Sequence, residues 1–225
     1  MRNLNRLRTP HDMHNIRYFS LFSGIGGFEF GIDQAYADHR TFRKQEVPNR
    51  TFLSPRRIVT LPVGKPPGAT CVGYSEINSY AERVYKRHFP NHHAFGDLTQ
   101  VDARSLPDFD LLCGGFPCQP FSVSGLRGGL EDARGSLFFD IARIIKAKQP
   151  SLLLLENVKG FLSHDDGDTA RTCFRLLDEL GYDCQWQVLN SKDFGVPENR
   201  ERVFIVGHLR GTPRPKVFPF LQQAG

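Results

Sequence analysis

Three groups of residues in this chain could carry chemistry together. They are Cys118, set between Pro117 and Pro120; Glu156, at the end of the apolar run Ser151 to Leu155; and Arg200 with Arg202, just before the apolar run Val203 to Gly207. A cysteine thiolate is a strong nucleophile and is accessible near neutral pH. A carboxylate at the end of a buried strand is placed to have its pKa raised, and so to hold a proton near neutrality. Two arginines spaced by one residue at a strand's start point to the same side and can act together on a phosphate or a base carbonyl. Each has a plainer explanation when taken singly: free cysteines are mostly small buried residues, a carboxylate past a strand is commonly a cap, and paired arginines are commonly exposed charges.

The elements around them supply the context. The apolar run Phe109 to Cys113 reads as a buried strand, and Gly114 and Gly115 are expected to turn the chain sharply at its carboxyl end. The two prolines remove backbone donors, which keeps Cys118 out of a helix or a central strand, at the place where open α/β sheets hold ligands. Earlier, Tyr18 to Phe22 is a β-prone run that leads into Ser23-Gly24-Ile25-Gly26-Gly27 and then a helix from Phe28. Strand, glycine loop and helix in that order allow close backbone approach to a ligand at the helix N-terminus. The next strand, Thr70 to Ser75, ends at Glu76, an acid placed to bond ribose hydroxyls.

Glu76 lies farther along the chain than a compact dinucleotide site would place it. The excess is Thr41 to Gly68, rich in proline and basic residues, which reads as an insertion: a solvated excursion, or else a basic arm touching phosphates. Asn78 to His88 has helical spacing, and Asp97 follows Gly96 in a loop where it could accept from an adenine amino group. Val123 to Arg134, with three glycines and Arg127, suits a lid over a bound substrate. Helices from Ser136 to before Pro150 and from Thr169 to Leu180, and strands Ser151 to Leu155, Tyr182 to Leu189 and Val203 to Gly207, complete an α/β alternation.

With 225 residues and 40% hydrophobic content, the chain suits one α/β domain. Residues 1–16 read as a loose leader, 17–210 as the catalytic domain with its insertion at 41–68, and 211–225 as a tail. A formal charge of +5 and a pI near 9.0 suit a polyanionic partner. The five cysteines are odd in number and lack zinc-ligand spacing, which points to reduced intracellular thiols and no metal. The absence of a signal-peptide pattern or a long apolar run points to a soluble, cytoplasmic protein with no membrane partner.

Four separated segments resemble, in order and spacing, the cofactor, nucleophile, glutamate and arginine motifs of the DNA cytosine-5 methyltransferases. They are Phe22 to Phe28, Gly115 to Ser122, Glu156-Asn157-Val158 and Arg200-Glu201-Arg202, and the resemblance runs from about Arg17 to Gly207. It implies a Rossmann-like S-adenosylmethionine-dependent methyltransferase fold, a mostly parallel sheet with helices on both faces, acting on a cytosine flipped out of double-stranded DNA. It also implies the roles. Cys118 would add to carbon 6 of the base, Glu156 would hold a proton at ring nitrogen 3, and Arg202, with Arg200, would bind the base oxygen or adjacent backbone. The backbone of Phe22, Ser23, Gly24, Ile25, Gly26 and Gly27 would cradle the methionine part of the cofactor. Glu76 and Ile77 would take the ribose, Asp97 and Leu98 the adenine, and Pro117 would close the cofactor side. Gln119, Ser122, Arg127 and Arg200 would touch DNA.

The sequence departs from the family pattern at Ser20, where an aspartate is usual, and at Glu198, where a glutamine is usual. The family's target-recognition region and closing Gly-Asn-Ser motif are expected to lie on a second chain, or to be missing from an inactive truncated or split subunit that binds cofactor or a partner chain without activity of its own. Methylation of RNA by the same chemistry is an alternative. A nicotinamide dehydrogenase would share the fold but leaves the Pro-Cys-Gln loop and Glu-Asn-Val unexplained.

Overall fold

The computed structural model describes residues 15–45, 68–117, 137–212 and 217–218. Six strands form one mixed sheet: β1 (Asn15–Leu21), β2 (Gly68–Ser75), β3 (Leu111–Gly115), β4 (Leu152–Val158), β5 (Tyr182–Asn190) and β6 (Glu201–Leu209), in the order β2-β1-β3-β4-β6-β5. The first four are parallel, and β6 runs antiparallel to both of its neighbours. Four helices connect them: α1 (Gly27–Gln45), α2 (Ser79–His88), α3 (Leu137–Lys148) and α4 (Asp168–Glu179). The first crossover moves outward from β1 to β2 and the later one moves the opposite way from β3 to β4. Crossovers of one hand therefore put α1 on one face of the sheet and α3 on the other, and open a crevice between the carboxyl ends of β1 and β3.

The strands that fill the middle read as apolar runs because both faces are covered. Phe19, Leu21, Leu112, Leu153, Leu155, Val203 and Ile205 pack with Phe138, Ile141, Ile145 and Leu177 of α3 and α4 in one core. On the opposite side, Tyr74, Tyr85 and Phe89 make a smaller cluster beneath α2. Asn78 caps α2 by accepting from the amides of Tyr80 and Ala81.

Three local expectations change. Gly114 and Gly115 do not turn the chain; they are the last residues of β3. They are small because neighbours press on them: a Cβ at Gly114 would lie 2.6 Å from the Leu21 carbonyl oxygen, and one at Gly115 would lie 2.7 Å from Glu156 Oε2. Glu156 is not past β4 but inside it, because the antiparallel pairing with β6 continues through Val158 and Arg202. Finally, α1 continues through Thr41 to Gln45, into the stretch read as an insertion. The rest of that stretch, 46–67, lies outside the described residues, as do Cys118, Gln119, Ser122, Arg127 and the expected lid.

Candidate active site

The carboxyl ends of β1 to β4 and the amino end of β6 meet on one edge of the sheet, and most of the residues singled out from the sequence converge there. The glycine loop begins with Phe22, whose φ of 51° is a left-handed conformation unusual for a bulky residue. Gly24 and Gly26, at φ +56° and +99°, continue the turn. Buried Ser23 ties the loop to both strands: its amide donates to the Ser75 carbonyl at 3.2 Å, and its hydroxyl lies 3.3 Å from the Ser20 carbonyl. Ser20 is itself buried, and its hydroxyl is 3.2 Å from that of Ser23, so serine at this position serves the loop's internal bonding.

Glu76 sits where β2 ends. Its two oxygens accept from the Gly24 amide and the Asn78 amide, both at 2.7 Å. A carboxylate has about four lone-pair sites, so both oxygens keep acceptor capacity for a diol. The side chains of Ile25 and Ile77 stand exposed beside it, at 58% and 73%. Asp97 caps the short 3-10 turn Leu98–Gln100 through Oδ1, which accepts from the Thr99 amide at 2.9 Å and its hydroxyl at 2.8 Å. The Leu98 side chain is in the core, so only its backbone can face a ligand.

Two residues that sequence reasoning passed over hold this side together. Ser75 donates to the Gly96 carbonyl at 2.6 Å, joining the end of β2 to the Asp97 turn. Arg143 of α3 donates to the carbonyls of Val101 at 2.6 Å and Leu98 at 2.9 Å. The only signal for Ser75 was its place directly before Glu76, and Arg143 gave none beyond lying on a helix.

On the other side of the crevice, Glu156 faces Gly115 across the β3/β4 ladder and Phe204 across β4/β6. Arg202, paired with Val158, is its diagonal neighbour, and Arg202 Nε lies 2.9 Å from Glu156 Oε1. Both side chains are about one-fifth exposed. Burial pushes the Glu156 carboxyl above its ordinary pKa, while the charges of Arg202 and Arg200 pull against it; burial prevails. Arg200 is more exposed and lies 4.0 Å from Glu198. Phe28, from the first turn of α1, comes within 3.9 Å of the point where a Gly115 Cβ would stand, beside the Glu156 carboxyl. Phe116 is buried and packed on Phe138 and Phe161, and Pro117, exposed, ends the described stretch.

A doubly wound α/β domain with a glycine loop, an acid after the second strand and a carboxylate–guanidinium pair on one edge has the layout of a nucleotide-type cofactor site beside an acid–base pair. The model of the C-5 cytosine-specific DNA methylase family matches residues 16–223, and the chain belongs to that family. It is 40% identical over 208 residues to the type II methyltransferase M.NlaIV of Neisseria lactamica, which covers 89% of this chain and 43% of that protein. It is 49% identical over 193 residues to M.NgoBI of Neisseria gonorrhoeae, covering 86% and 50%. The chain thus spans about half the length of these curated relatives. The solved structure of Dnmt2 methyltransferase from S. pombe shares the fold, with a TM-score of 0.59 at 22% identity over 89% of this chain and 52% of that one. Among the described residues, no helix is long and apolar enough to cross a membrane.

Proposed function

We propose that this chain transfers a methyl group from S-adenosylmethionine to carbon 5 of cytosine in double-stranded DNA, through a covalent adduct on Cys118. The observation that carries the reading is the Glu156–Arg202 pair, a carboxyl of raised pKa held at 2.9 Å beside a guanidinium, on the sheet edge from which the Pro117-Cys118-Gln119 segment departs. Chain connectivity alone keeps Cys118 within roughly 11 Å of Gly115, whose backbone abuts the Glu156 carboxyl.

Residue types and steps fit one another. The Cys118 thiolate forms a bond to carbon 6, and the electrons of the 5,6 double bond move onto carbon 5 and the ring. Glu156, protonated, donates at ring nitrogen 3 and relieves the charge that accumulates there. Arg202 holds the Glu156 carboxyl and the base oxygen, with Arg200 toward the backbone. S-adenosylmethionine, when bound, supplies the electrophilic methyl group. Carbon 5 then loses its proton to a base, the carbon–sulfur bond to Cys118 breaks, and ring nitrogen 3 returns its proton to Glu156, which restores the aromatic ring, the thiolate and the acid.

The cofactor side fits that group. Glu76 retains acceptor sites for ribose hydroxyls, Asp97 keeps Oδ2 for an adenine amino group, and Ile25 and Ile77 offer apolar walls. No phosphate has to be bound, which agrees with a loop free of lysine from Phe22 to Phe28.

Likeness to type II methyltransferases favours a restriction-modification setting, likeness to the orphan methyltransferase M.SPRI of Bacillus phage SPR favours a phage one, and both favour the cytoplasm. The test is transfer of a labelled methyl group to mixed-sequence duplex DNA, with RNA in parallel. Incorporation into DNA that disappears in Cys118→Ala supports the proposal. Incorporation that survives in the mutant contradicts it.

A further inference from the structure

Beneath the glycine loop lies a polar group that the transfer chemistry leaves unused. Glu29, in the first turn of α1, is fully buried. Tyr85 of α2, also fully buried, places its hydroxyl 2.9 Å from Glu29 Oε1 and 2.9 Å from Nδ1 of His92, just beyond that helix. A phenol has one hydrogen, so one of its two neighbours must donate to it. Either His92 Nδ1–H donates to the phenolic oxygen and Tyr85 to an ionised Glu29, or a protonated Glu29 donates to Tyr85 and Tyr85 to His92. In both arrangements three segments are joined through one oxygen atom. Among the described residues Glu29 Oε2 has no hydrogen-bond partner, and burial raises this carboxyl's pKa against the pull of Ser20 and Tyr85.

The loop rests on the same aromatic surface. Tyr85 stacks on Tyr74 at 4.0 Å and tilts against Phe89 at 5.1 Å. A Cβ on Gly26 would lie 2.5 Å from Phe89 Cε2 and 3.4 Å from Tyr85 Cδ2, so the loop backbone lies directly against these rings. The Gly26 carbonyl also accepts from the Phe30 amide at 3.0 Å, which fixes the loop to the start of α1. Tyr85 therefore touches the loop with its ring and the helix that follows the loop with its hydroxyl.

We propose that Tyr85 is a positioning residue for the methyl-donor loop: by bonding Glu29 and His92 at once, it locks the first turn of α1 onto α2 and sets where Ser23 to Gly27 stand at the sheet edge. The lock rests on the reading of that loop as the cofactor loop, and the experiment separates the two. Amide hydrogen exchange of the unliganded chain and titration with S-adenosylhomocysteine would be compared for the wild type, Tyr85→Phe and Glu29→Gln. The phenylalanine keeps the ring under Gly26 and removes only the hydroxyl.

In Tyr85→Phe, exchange at Gly24 to Phe28 should rise about tenfold, the scale of a lost hydrogen bond to a charged or buried partner, with exchange in α4 unchanged. The dissociation constant should rise about as much. Glu29→Gln, whose amide oxygen still accepts from Tyr85, should stay within about threefold of the wild type in both measurements. Unchanged loop exchange in Tyr85→Phe, or a rise spread equally over α4, would overturn the lock. A wild type that does not bind the nucleoside, with the loop still loosened in Tyr85→Phe, would refute the cofactor reading and leave the lock supported.

Discussion

Glu76 and Glu156 stand on the same edge of one sheet, at the ends of β2 and β4, and their surroundings prepare them for different work. Glu76 is bonded on both oxygens by main-chain amides, from Gly24 and Asn78. Those bonds fix the carboxyl's orientation and leave each oxygen a further acceptor site. Among the described residues no main-chain amide donates to the Glu156 carboxyl. It is wedged between Gly115 and Arg202 inside the ladder, and burial raises its pKa despite the guanidinium. In the proposed mechanism one carboxylate accepts hydroxyls and the other delivers a proton, a division of roles between identical groups by their environment.

The largest effect that would break this contrast comes from Glu156→Gln. Loss of a general acid should lower single-turnover methyl transfer by about 10²–10⁴-fold, and a rate within threefold of the wild type would remove Glu156 from the chemistry. Arg202→Met should cost somewhat less, about 10²-fold. It also has a pH signature. In the proposed mechanism Glu156 acts protonated, so activity should be lost as pH rises through its pKa; removing a cation that pulls that pKa down should move the alkaline limb to higher pH, even as the maximum falls. A limb that stays or moves to lower pH would mean that another group titrates.

Gly115→Ala sharpens the contrast by displacing the carboxyl alone, since the clashing atom is the far end of the Glu156 side chain. The rate should fall about tenfold, the scale of a small misplacement at a reacting centre, with the thermal midpoint within a few degrees of the wild type. The smallest effect is expected at Glu198, exposed and 4.0 Å from Arg200. Glu198→Gln should tighten duplex binding a few-fold at low salt and less at high salt, as removal of one repelling surface charge would.

Much of the described edge was legible in the sequence because each motif is local: a glycine loop after an apolar run and an acid after the next one. Alternation of apolar runs and helical spacing likewise carried the α/β class. What escaped notice depended on contacts between distant segments. Gly114 and Gly115 look alike whether a chain must turn or must make room, and only the closeness of Leu21 and Glu156 decides. Glu156 seemed to follow its strand because nothing local shows that β6 extends the pairing to Val158. Leu98 has a motif that suggests a ligand contact, and burial of its side chain in the core leaves the backbone to make it. Ser75 and Arg143 act through carbonyls on other segments, a role that side-chain type alone does not announce.

The division of labour between the two carboxylates is tested most directly by titrating Glu76→Gln and Glu156→Gln with S-adenosylhomocysteine, a measurement that needs neither DNA nor turnover. The account predicts a dissociation constant raised about 10–100-fold in Glu76→Gln, the worth of lost charge-assisted bonds, and one within twofold of the wild type in Glu156→Gln. Equal weakening in both variants, or weakening in Glu156→Gln alone, would contradict it.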